Sequence, residues 1–487
     1  MTNRIRHQTV LLASAACVAF SGLPARAQQT TDRTQMLEER VRQLEDALRE
    51  VRQELDATRR EASAAAQAQA QPPAASASTA VAVAPAEPAV PPVPATESVG
   101  ARQSAQAQPP GAGFRIGDTT FRISGFIKAD TLISSYSNGD TATNSLGRDF
   151  YLPHYIPTNG AKGEGADFDA HTKQTRIILS TETPVGDKTL TAHIESDFQT
   201  SPGTQGSERT TNGYNLALRR AFIGYGAWTM GQDWSNFQNA TVLPEAADFV
   251  GVTEGTVFIR QMQVRYSHKL SDVLSVSVAL ENPETSSVTP FSSALVENDD
   301  DHLPDATVKF TYAPSFGQFT LAGLVRQLSV NTPDDKARAF SWGISGAGRI
   351  PFGRNDAFDV RFMLTYGDGI SRYVGFNFAP DVITVIGPDG TTDLEKVKVL
   401  AGFLAFHVSF TDKLRSNLMG SFQDVNYPSG IAPGTANEQA HSIAVNLFYS
   451  PIRLLDLGIE YRYAQLKLLN GDKGSLNRLH LVAKHAF

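Results

Sequence analysis

Cysteine is almost absent from this chain of 487 residues, whose only thiol is Cys17. Cys17 lies in a short apolar stretch with a basic start and an A-x-A end, which predicts a signal peptide over residues 1–27 with cleavage after Ala27. A lipidation site is the weaker interpretation, because Ser14 stands where such sites carry an aliphatic residue. The mature chain would then have no thiol, which excludes disulfides, thiolate metal sites and thiol nucleophiles.

Long apolar runs are also missing. Beyond the N-terminal stretch, no segment offers the roughly 18 consecutive apolar residues that a transmembrane helix needs, so a helical membrane protein is excluded. A basic surplus is missing too, since without the three arginines of the signal peptide 40 basic residues face 50 acidic ones. Nucleic acid is therefore not an expected partner.

Motifs of catalysis and metal binding are equally scarce. The ten histidines are scattered, without the H-E-x-x-H spacing of a zinc site. GISGA at 343–347 resembles a nucleophile elbow, but it ends in Ala347 where glycine is needed and no helix follows. The acidic run ENDDDH at 297–302 lacks the spaced ligands of a calcium loop, so a solvated loop is the better interpretation. We therefore predict no enzyme activity, no cofactor and no metal site.

Residues 30–62 carry a heptad pattern. Apolar residues recur at alternating spacings of four and three, with Arg, Glu and Gln between them, which predicts an α-helical coiled coil. The seam residues are Leu37, Val41, Leu44, Leu48, Val51 and Leu55. A single amphipathic helix packed on a domain is the alternative, but the residues that follow offer no domain to pack on. We therefore expect this segment to mediate self-association in the periplasm.

Residues 63–113 are rich in Ala, Pro, Gln and Ser in low-complexity order. Such a composition cannot bury enough apolar surface to offset the entropy of ordering, and its prolines favour extended conformers. We predict a disordered tether, and a mainly structural role for it and the coiled coil, such as docking on peptidoglycan, is an alternative to consider.

From residue 114 to residue 487 the apolar period is two. In TTFRISGFIKAD at 119–130 and LLDLGIEYRYAQL at 454–466, apolar and polar residues alternate, as strands with one apolar and one wet face require. A soluble sandwich would show the same alternation. The strands are about ten residues long, however, against five or six in soluble sheets, and this length suits a tilted span of the bilayer.

The connections between these strands are of two kinds. Short turns alternate with long polar excursions at 135–171, 233–257, 282–303 and 368–396. Short turns at one end and long loops at the other are typical of outer-membrane barrels. Counting the segments predicts an all-β transmembrane barrel of about sixteen antiparallel strands over residues 114–487.

The last strand ends on an aromatic residue, Phe487. In NRLHLVAKHAF, apolar residues hold alternate positions for most of the strand and return at the last residue. We predict that Leu479, Leu481, Ala483 and Phe487 face lipid, and that Phe487 serves as the signal for barrel assembly.

A barrel of this size is too wide to be filled by its wall side chains and leaves an aqueous channel. The excursion at 233–257 follows a short fifth strand, and we predict that it folds into the lumen and narrows it.

Opposed basic and acidic side chains at a constriction select solutes by charge. The inward-facing candidates are Lys128, Arg176, Arg219 and Arg265 on the wall and Glu245 and Asp248 on the loop. Alternatively, each arginine merely pairs with a wall acid such as Glu195 or Asp197. Arg260 shares the parity of the apolar row and is assigned to the loop junction.

Several motifs resemble one known family. GQDWSNF, PEAADF and RQMQVRY, together with GFIKAD, the upstream heptads and the terminal phenylalanine, are similar to those of the DcaP-type outer-membrane porins. The resemblance covers the coiled coil and the whole barrel. It implies a homotrimer of sixteen-stranded barrels with periplasmic N-terminal helices, which passes small anionic solutes such as dicarboxylates.

These observations predict a porin in the outer membrane of a Gram-negative bacterium, with its N-terminal segment in the periplasm. Its expected role is passive uptake of small hydrophilic solutes, preferably anions of the dicarboxylate type. The alternatives are a non-selective general-diffusion porin and a barrel that mainly anchors the cell wall. Expected partners are further copies of the chain, outer-membrane lipid and the solutes themselves.

Overall fold

The computed structural model describes residues 113–161, 163, 165–199, 204–205, 212–332 and 335–487. The predicted signal peptide, the coiled coil with its six seam residues and all but the last residue of the predicted tether lie outside the described residues. These three assignments stay predictions.

Strands dominate the part of the chain that the structure describes. They are β1 (Phe114–Ile116), β2 (Thr119–Tyr136), β3 (Asp167–His171), β4 (Arg176–Val185), β5 (Lys188–Asp197), β6 (Thr204–Gln205), β7 (Gly213–Tyr214), β8 (Ala217–Tyr225), β9 (Trp228–Trp234), β10 (Arg260–Lys269), β11 (Leu274–Glu281), β12 (Ser286–Thr289), β13 (Ser292–Glu297), β14 (Asp305–Tyr312), β15 (Gln318–Asn331), β16 (Lys336–Phe352), β17 (Phe358–Asp368), β18 (Val382–Ile386), β19 (Thr392–Lys396), β20 (Lys398–Ser409), β21 (Leu414–Asn426), β22 (Asn437–Ile452), β23 (Leu455–Leu468) and β24 (Lys473–Ala486).

Within the described residues, helical structure is confined to short segments. The described residues include one α-helix, α1 (Leu146–Asp149), and single 3-10 turns at Pro153–Tyr155, Ala240–Val242, Thr253–Gly255, Arg354–Asp356 and Ser371–Tyr373. Among these residues, no helix has the length and apolar character needed to cross a membrane.

Sixteen antiparallel strands close into a barrel. Its members are β2, β4, β5, β8 to β11, β14 to β17 and β20 to β24. The sheet closes because β2 pairs with β24 along one edge and with β4 along the other. The predicted sixteen-stranded antiparallel barrel is thereby confirmed, while β1 and β3 add short pairings to β2.

The wall is apolar outside and largely polar inside. On β22, Ile443 and Val445 are 52% and 46% exposed, whereas Ser442 and Asn446 are buried. A soluble protein would expose the polar pair and bury the aliphatic one. The reversed arrangement is that of a barrel whose outer face meets lipid, because only a lipid solvent favours exposed Ile and Val.

Connections at the two barrel ends differ as the sequence predicts. We call the end with tight connections, such as Val185 to Lys188, the short-turn end, and the opposite end the loop end. Two excursions at the loop end are more ordered than expected: residues 286–297 and 382–396 form a four-stranded sheet. Its central pair, β12 and β18, is parallel. The sequence analysis treated these segments as polar loops, yet β-branched runs such as VITVI favour strands.

The C terminus lies at the seam between β24 and β2. Phe487 and Gly125 exchange two backbone hydrogen bonds, of 3.1 and 3.0 Å. A Cβ at position 125 would lie 2.2 Å from the carbonyl oxygen of Arg176, so only glycine fits there. The Phe487 side chain is 43% exposed, on the outward row of the closing strand.

Candidate functional site

Neighbouring strands β4, β5, β8, β9 and β10 bring a group of charged side chains together. We call this group the arginine cluster; its members are Arg176, Arg219, Arg220, Arg260, Arg265, Glu195, Asp197 and Asp233. Most of these side chains are buried, and burial strengthens their mutual interactions because water does not screen them.

Two carboxylates hold the first part of the cluster. Arg219 binds Glu195 and Asp197 with nitrogen–oxygen distances of 2.7 Å each. Arg176 lies 3.2 Å from each of the same two carboxylates. Two guanidinium groups thus share two acids, and their charges are balanced.

The second part of the cluster is held by Asp233. Its carboxylate lies 2.6 Å from Arg220 and 3.0 Å from Arg265. The predicted alternative, in which wall arginines pair with wall acids, therefore describes the contacts of Arg176, Arg219 and Arg265. Their role in selectivity stays a prediction.

Arg220 is a member that the sequence analysis missed. Strict alternation would send it outward, because Arg219 faces inward. The pairing of β5 with β8 shifts at this point, with Glu195 opposite Arg220 and Ser196 opposite Leu218. Such a bulge places two consecutive side chains on one face, so Arg219 and Arg220 are both buried. The two adjacent arginines in LRRAF were the available signal.

Arg260 differs from the other cluster arginines. Its guanidinium stacks on the ring of Trp234, 4.9 Å from the centroid. Its Nη1 is buried and has no hydrogen-bond partner, and none of the described carboxylates lies within ion-pair distance of it. Its charge nevertheless interacts electrostatically with four members of the cluster, Arg219, Asp197, Glu195 and Arg176. It is the first residue of β10, which agrees with its assignment to the loop junction.

An aromatic bridge links the cluster to the loop at residues 235–259, here called loop three. Arg219 lies over the ring of Phe249, at 5.1 Å from its centroid. Phe249 contacts Phe258, which in turn packs edge-on against Trp234. Phe249 follows directly after the predicted site residue Asp248, so the structure does bring Arg219 next to loop three.

Loop three runs along the inner wall of the barrel. Asn236 donates to the carbonyl oxygen of Ser277 on β11, Asn239 to Thr320 on β15, and the backbone of Ala247 to Glu460 on β23. The wall beneath it is lined by small side chains, which leave room for the loop: Ala322, Ala347, Ala401, Ala405 and Ala444. Inward alanines on long strands were therefore a sequence signal for this packing.

The two acids of loop three are already partnered. Glu245 accepts two hydrogen bonds from Arg415, at 2.8 and 2.7 Å. Asp248 accepts from the backbone N–H groups of Tyr151, at 2.8 Å, and of Val250 and Gly251. Glu245 thus fixes the loop to β21, and Asp248 fixes it to the loop that follows β2.

Lys128 also contacts loop three rather than standing free. Its Nζ donates to the carbonyl oxygen of Ala247 at 2.6 Å and to the side chain of Gln174, and it lies 3.0 Å from Asp130. Lys128 therefore supports the loop from the β2 side. Within the described residues, no three His, Cys, Asp or Glu side chains are grouped so that they could hold a metal ion.

Solved structures similar to this chain are outer-membrane channels. The crystal structure of the outer membrane channel DcaP of Acinetobacter baumannii matches with a TM-score of 0.63 and 24% identity, over 77% of this chain and 100% of that one. OmpT of Vibrio cholerae in its trimer form matches with a TM-score of 0.46 and 12% identity, over 76% and 100%. The anion-selective porin from Comamonas acidovorans gives a TM-score of 0.45 and 11% identity, over 76% and 100%. No curated protein matches the chain.

Residues 123–487 match the family described as DcaP outer membrane protein. This match spans nearly all of the barrel, and it confirms the resemblance seen in the motifs. The family and the closed barrel place the protein in the outer membrane and make it a channel of the porin type, not an enzyme. The chain belongs to the DcaP outer membrane protein family.

Proposed function

We propose that the protein is a porin for passive uptake of small hydrophilic solutes, with a preference for anions of the dicarboxylate type. The observation that carries this proposal is the charge of the arginine cluster. Among the residues that the structure describes, five guanidinium groups of the cluster face three carboxylates, which leaves two positive charges without a cluster carboxylate. Lys309 and Glu281, which lie farther along the wall, carry opposite charges and leave this surplus unchanged.

The surplus supports anion selection because a charged wall attracts solutes of opposite sign. In our proposal Lys128, Arg176, Arg219 and Arg265 contribute to the field, while their acids hold them in place. Arg260 is the arginine with capacity to spare, since a guanidinium has five N–H donors and its Nη1 lacks an acceptor. A passing carboxylate would supply that acceptor.

We infer further that loop three narrows the channel. The support is its attachment to the inner wall, through Glu245 on Arg415 and Asp248 on the backbone of Tyr151. These acids would act mainly as anchors. Their negative charges are compensated locally, so they would oppose anion entry less than free carboxylates.

The test is conductance in a planar bilayer under a salt gradient, because the reversal potential reports charge preference. We expect an anion-selective channel, and Arg260→Gln should lower the anion-to-cation permeability ratio by about two- to threefold. Arg338→Gln, which removes an exposed charge from the outer face of β16, is the matched control and should leave the ratio unchanged.

The same measurement separates the alternatives. A channel with no charge preference would be a general-diffusion porin, and a barrel that conducts no ions would support the anchoring role. Parent selectivity in Arg260→Gln would show that the cluster does not set the preference.

We also propose that the protein is a homotrimer and that Phe487 is the signal for assembly of each barrel. The support is the outward position of Phe487 at the seam and the heptad seam predicted for residues 30–62. Deleting those residues should leave a folded trimer in mild detergent, because barrel contacts bury more area than about four heptads. Recovery of monomers alone would instead assign association to the coiled coil.

Phe487→Lys should lower the yield of heat-modifiable barrel more than Arg462→Gln inside the lumen.

A further inference from the structure

A cavity of about 550 Å³ lies at the loop end, well apart in the sequence from the arginine cluster. Its walls come from five parts of the chain: residues 140–159, 288–295, 377–380, 427–437 and 466–468. No member of the arginine cluster lines it. A volume of this size lies within the range of roughly 300–1,000 Å³ that is usual for small-molecule sites.

The charge of the lining is unlike that of the cluster. Among the described residues that line the cavity there is no lysine or arginine, and Asp140 is the one acid. His154, in the loop after β2, is partly buried, and the resulting desolvation lowers its pKa from 6.5 to about 4. The imidazole is therefore neutral at pH 7. A cavity with no cation and one carboxylate disfavours anions, so its ligand differs from the solutes proposed for the channel.

Aromatic and amide groups dominate the lining instead. The rings of His154 and Tyr155 lie 4.8 Å apart, and Phe378 packs against His154 at 6.4 Å. Tyr427 donates its hydroxyl to the carbonyl oxygen of Asn437, whose Nδ2 donates to the carbonyl oxygen of Phe378. These two bonds, each of 2.8 Å, join separate loops into one wall. Ring faces beside hydrogen-bonding groups suit a ligand with both apolar and hydroxyl-bearing surfaces.

Two buried polar atoms in the lining have no partner. They are Nδ1 of His154 and Oδ1 of Asn377. Leaving a buried polar atom unpaired is unfavourable, so each atom needs an explanation. Asn377 also has a left-handed backbone, with φ of 59°, a conformation that asparagine adopts more readily than most other non-glycine residues. A hydroxyl-bearing ligand would satisfy each atom once the imidazole or the amide rotates to turn it toward the cavity.

We propose that this cavity binds a neutral, hydroxyl-rich solute of mono- to disaccharide size. The inference goes beyond the proposed anion uptake, since it concerns a different site and an uncharged class of ligand. The ligand stacks its apolar face on the Tyr155 ring, which is 36% exposed, and donates hydroxyl hydrogens to Asn377 and, in the matching tautomer, to His154. The site would hold such molecules at the loop end before they reach the lumen.

Isothermal titration of the full-length protein tests the proposal, in a detergent without a sugar headgroup. The probes are maltose and glucose, with succinate as an anionic probe. We expect maltose or glucose to bind and succinate to leave this site empty. His154→Phe, which keeps the ring and removes the nitrogens, should weaken sugar binding about tenfold. Asn377→Gly, which suits the left-handed backbone and removes the amide, should do the same.

His441→Phe is the matched control, because His441 is exposed on the outer face of β22. It should bind the sugar as the parent does. Arg260→Gln should also retain sugar binding, so this result is independent of the outcome for anion selectivity. The proposal is overturned if the parent binds neither sugar, or if both cavity variants keep the parent affinity.

Discussion

The arginine cluster and the loop-end cavity differ in the structure that holds them. Cluster residues lie on five adjacent strands, whose ladders fix each backbone position, as in the pairing of Arg265 with Thr229. The cavity is assembled mainly from loops, joined by single side-chain bonds such as the 2.8 Å contact of Ser293 with Thr435. The charged groups thus lie on strands with continuous backbone pairing. The proposed ligand site is formed by loops that fewer hydrogen bonds hold together.

This difference follows from the cost of misplacing each kind of group. A buried charge that loses its partner destabilises the fold strongly, so its neighbours must be held in place. A ring or amide that shifts slightly loses little, because dispersion contacts are individually weak. Strands suit the first task and loops the second.

The largest effect is expected from breaking the charge balance of the cluster. Asp197 is fully buried and lies within ion-pair distance of both Arg176 and Arg219. Asp197→Asn should lower the free energy of unfolding by about 3–5 kcal/mol, because it leaves buried guanidinium charge uncompensated. Urea unfolding followed by heat-modifiability on gels would measure it.

Arg260→Gln is the control for this experiment. It removes an arginine whose main contact is a ring, so it should cost no more than about 0.5–2 kcal/mol. Equal losses in the two variants would mean that the ion pairs of the cluster are not what stabilises this part of the wall.

An intermediate effect is expected from giving the cavity the charge that it lacks. Leu295 lines the cavity and is 39% exposed, so a lysine should fit there without unfolding the loop. Leu295→Lys should weaken maltose binding several-fold and allow succinate to bind, as titration calorimetry would show. Val296→Lys, at the next position and outside the lining, is the matched control. If both variants behave alike, lining charge does not decide the ligand.

The smallest effect is expected from pH. The described part of the cavity lining holds four titratable side chains, Asp140, His154, Tyr155 and Tyr427. Because the folded-state pKa of His154 is lowered to about 4, its neutral form prevails from pH 8 to pH 5. Sugar affinity should be level over that range and fall only as the pH approaches 4.

The stability of the loop should follow the same group with a definite sign. The unfolded chain protonates His154 near its ordinary value of 6.5 and the folded chain near 4. Its contribution is therefore full above pH 6.5 and is lost as the pH falls through 4. His154→Phe should remove this dependence in thermal unfolding scans. An unchanged profile in that variant would assign the pH response to Asp140 or to another part of the chain.

Much of the barrel could be predicted from the sequence because each wall strand meets lipid on one face and water on the other. Lipid outside and water inside impose a period of two on every spanning strand, so strand number, facing and the outward Phe487 all follow from local pattern. Family motifs lie on the same strands and on loop three. Inward charges such as Lys128 and Arg176 could be found by the same parity.

The pairing of those charges was decided only in three dimensions. Nothing local shows that Glu195 pairs with three arginines and Asp197 with two, or that a bulge turns Arg220 inward. Loop three illustrates the same limit: Glu245 meets Arg415 across 170 residues of sequence.

The loop-end cavity is the feature that could least be predicted from the sequence. Its walls join residues 140–159 to residues 466–468, and its neutrality depends on which side chains are absent from the lining. Periodicity constrains a residue by its immediate neighbours, whereas a cavity is defined by segments that meet only after the barrel has closed. The sequence by itself determined a sixteen-stranded wall and the sign of its candidate charges; the tertiary structure decided which charges remain unpaired, because burial and partner choice depend on contacts between distant strands and loops.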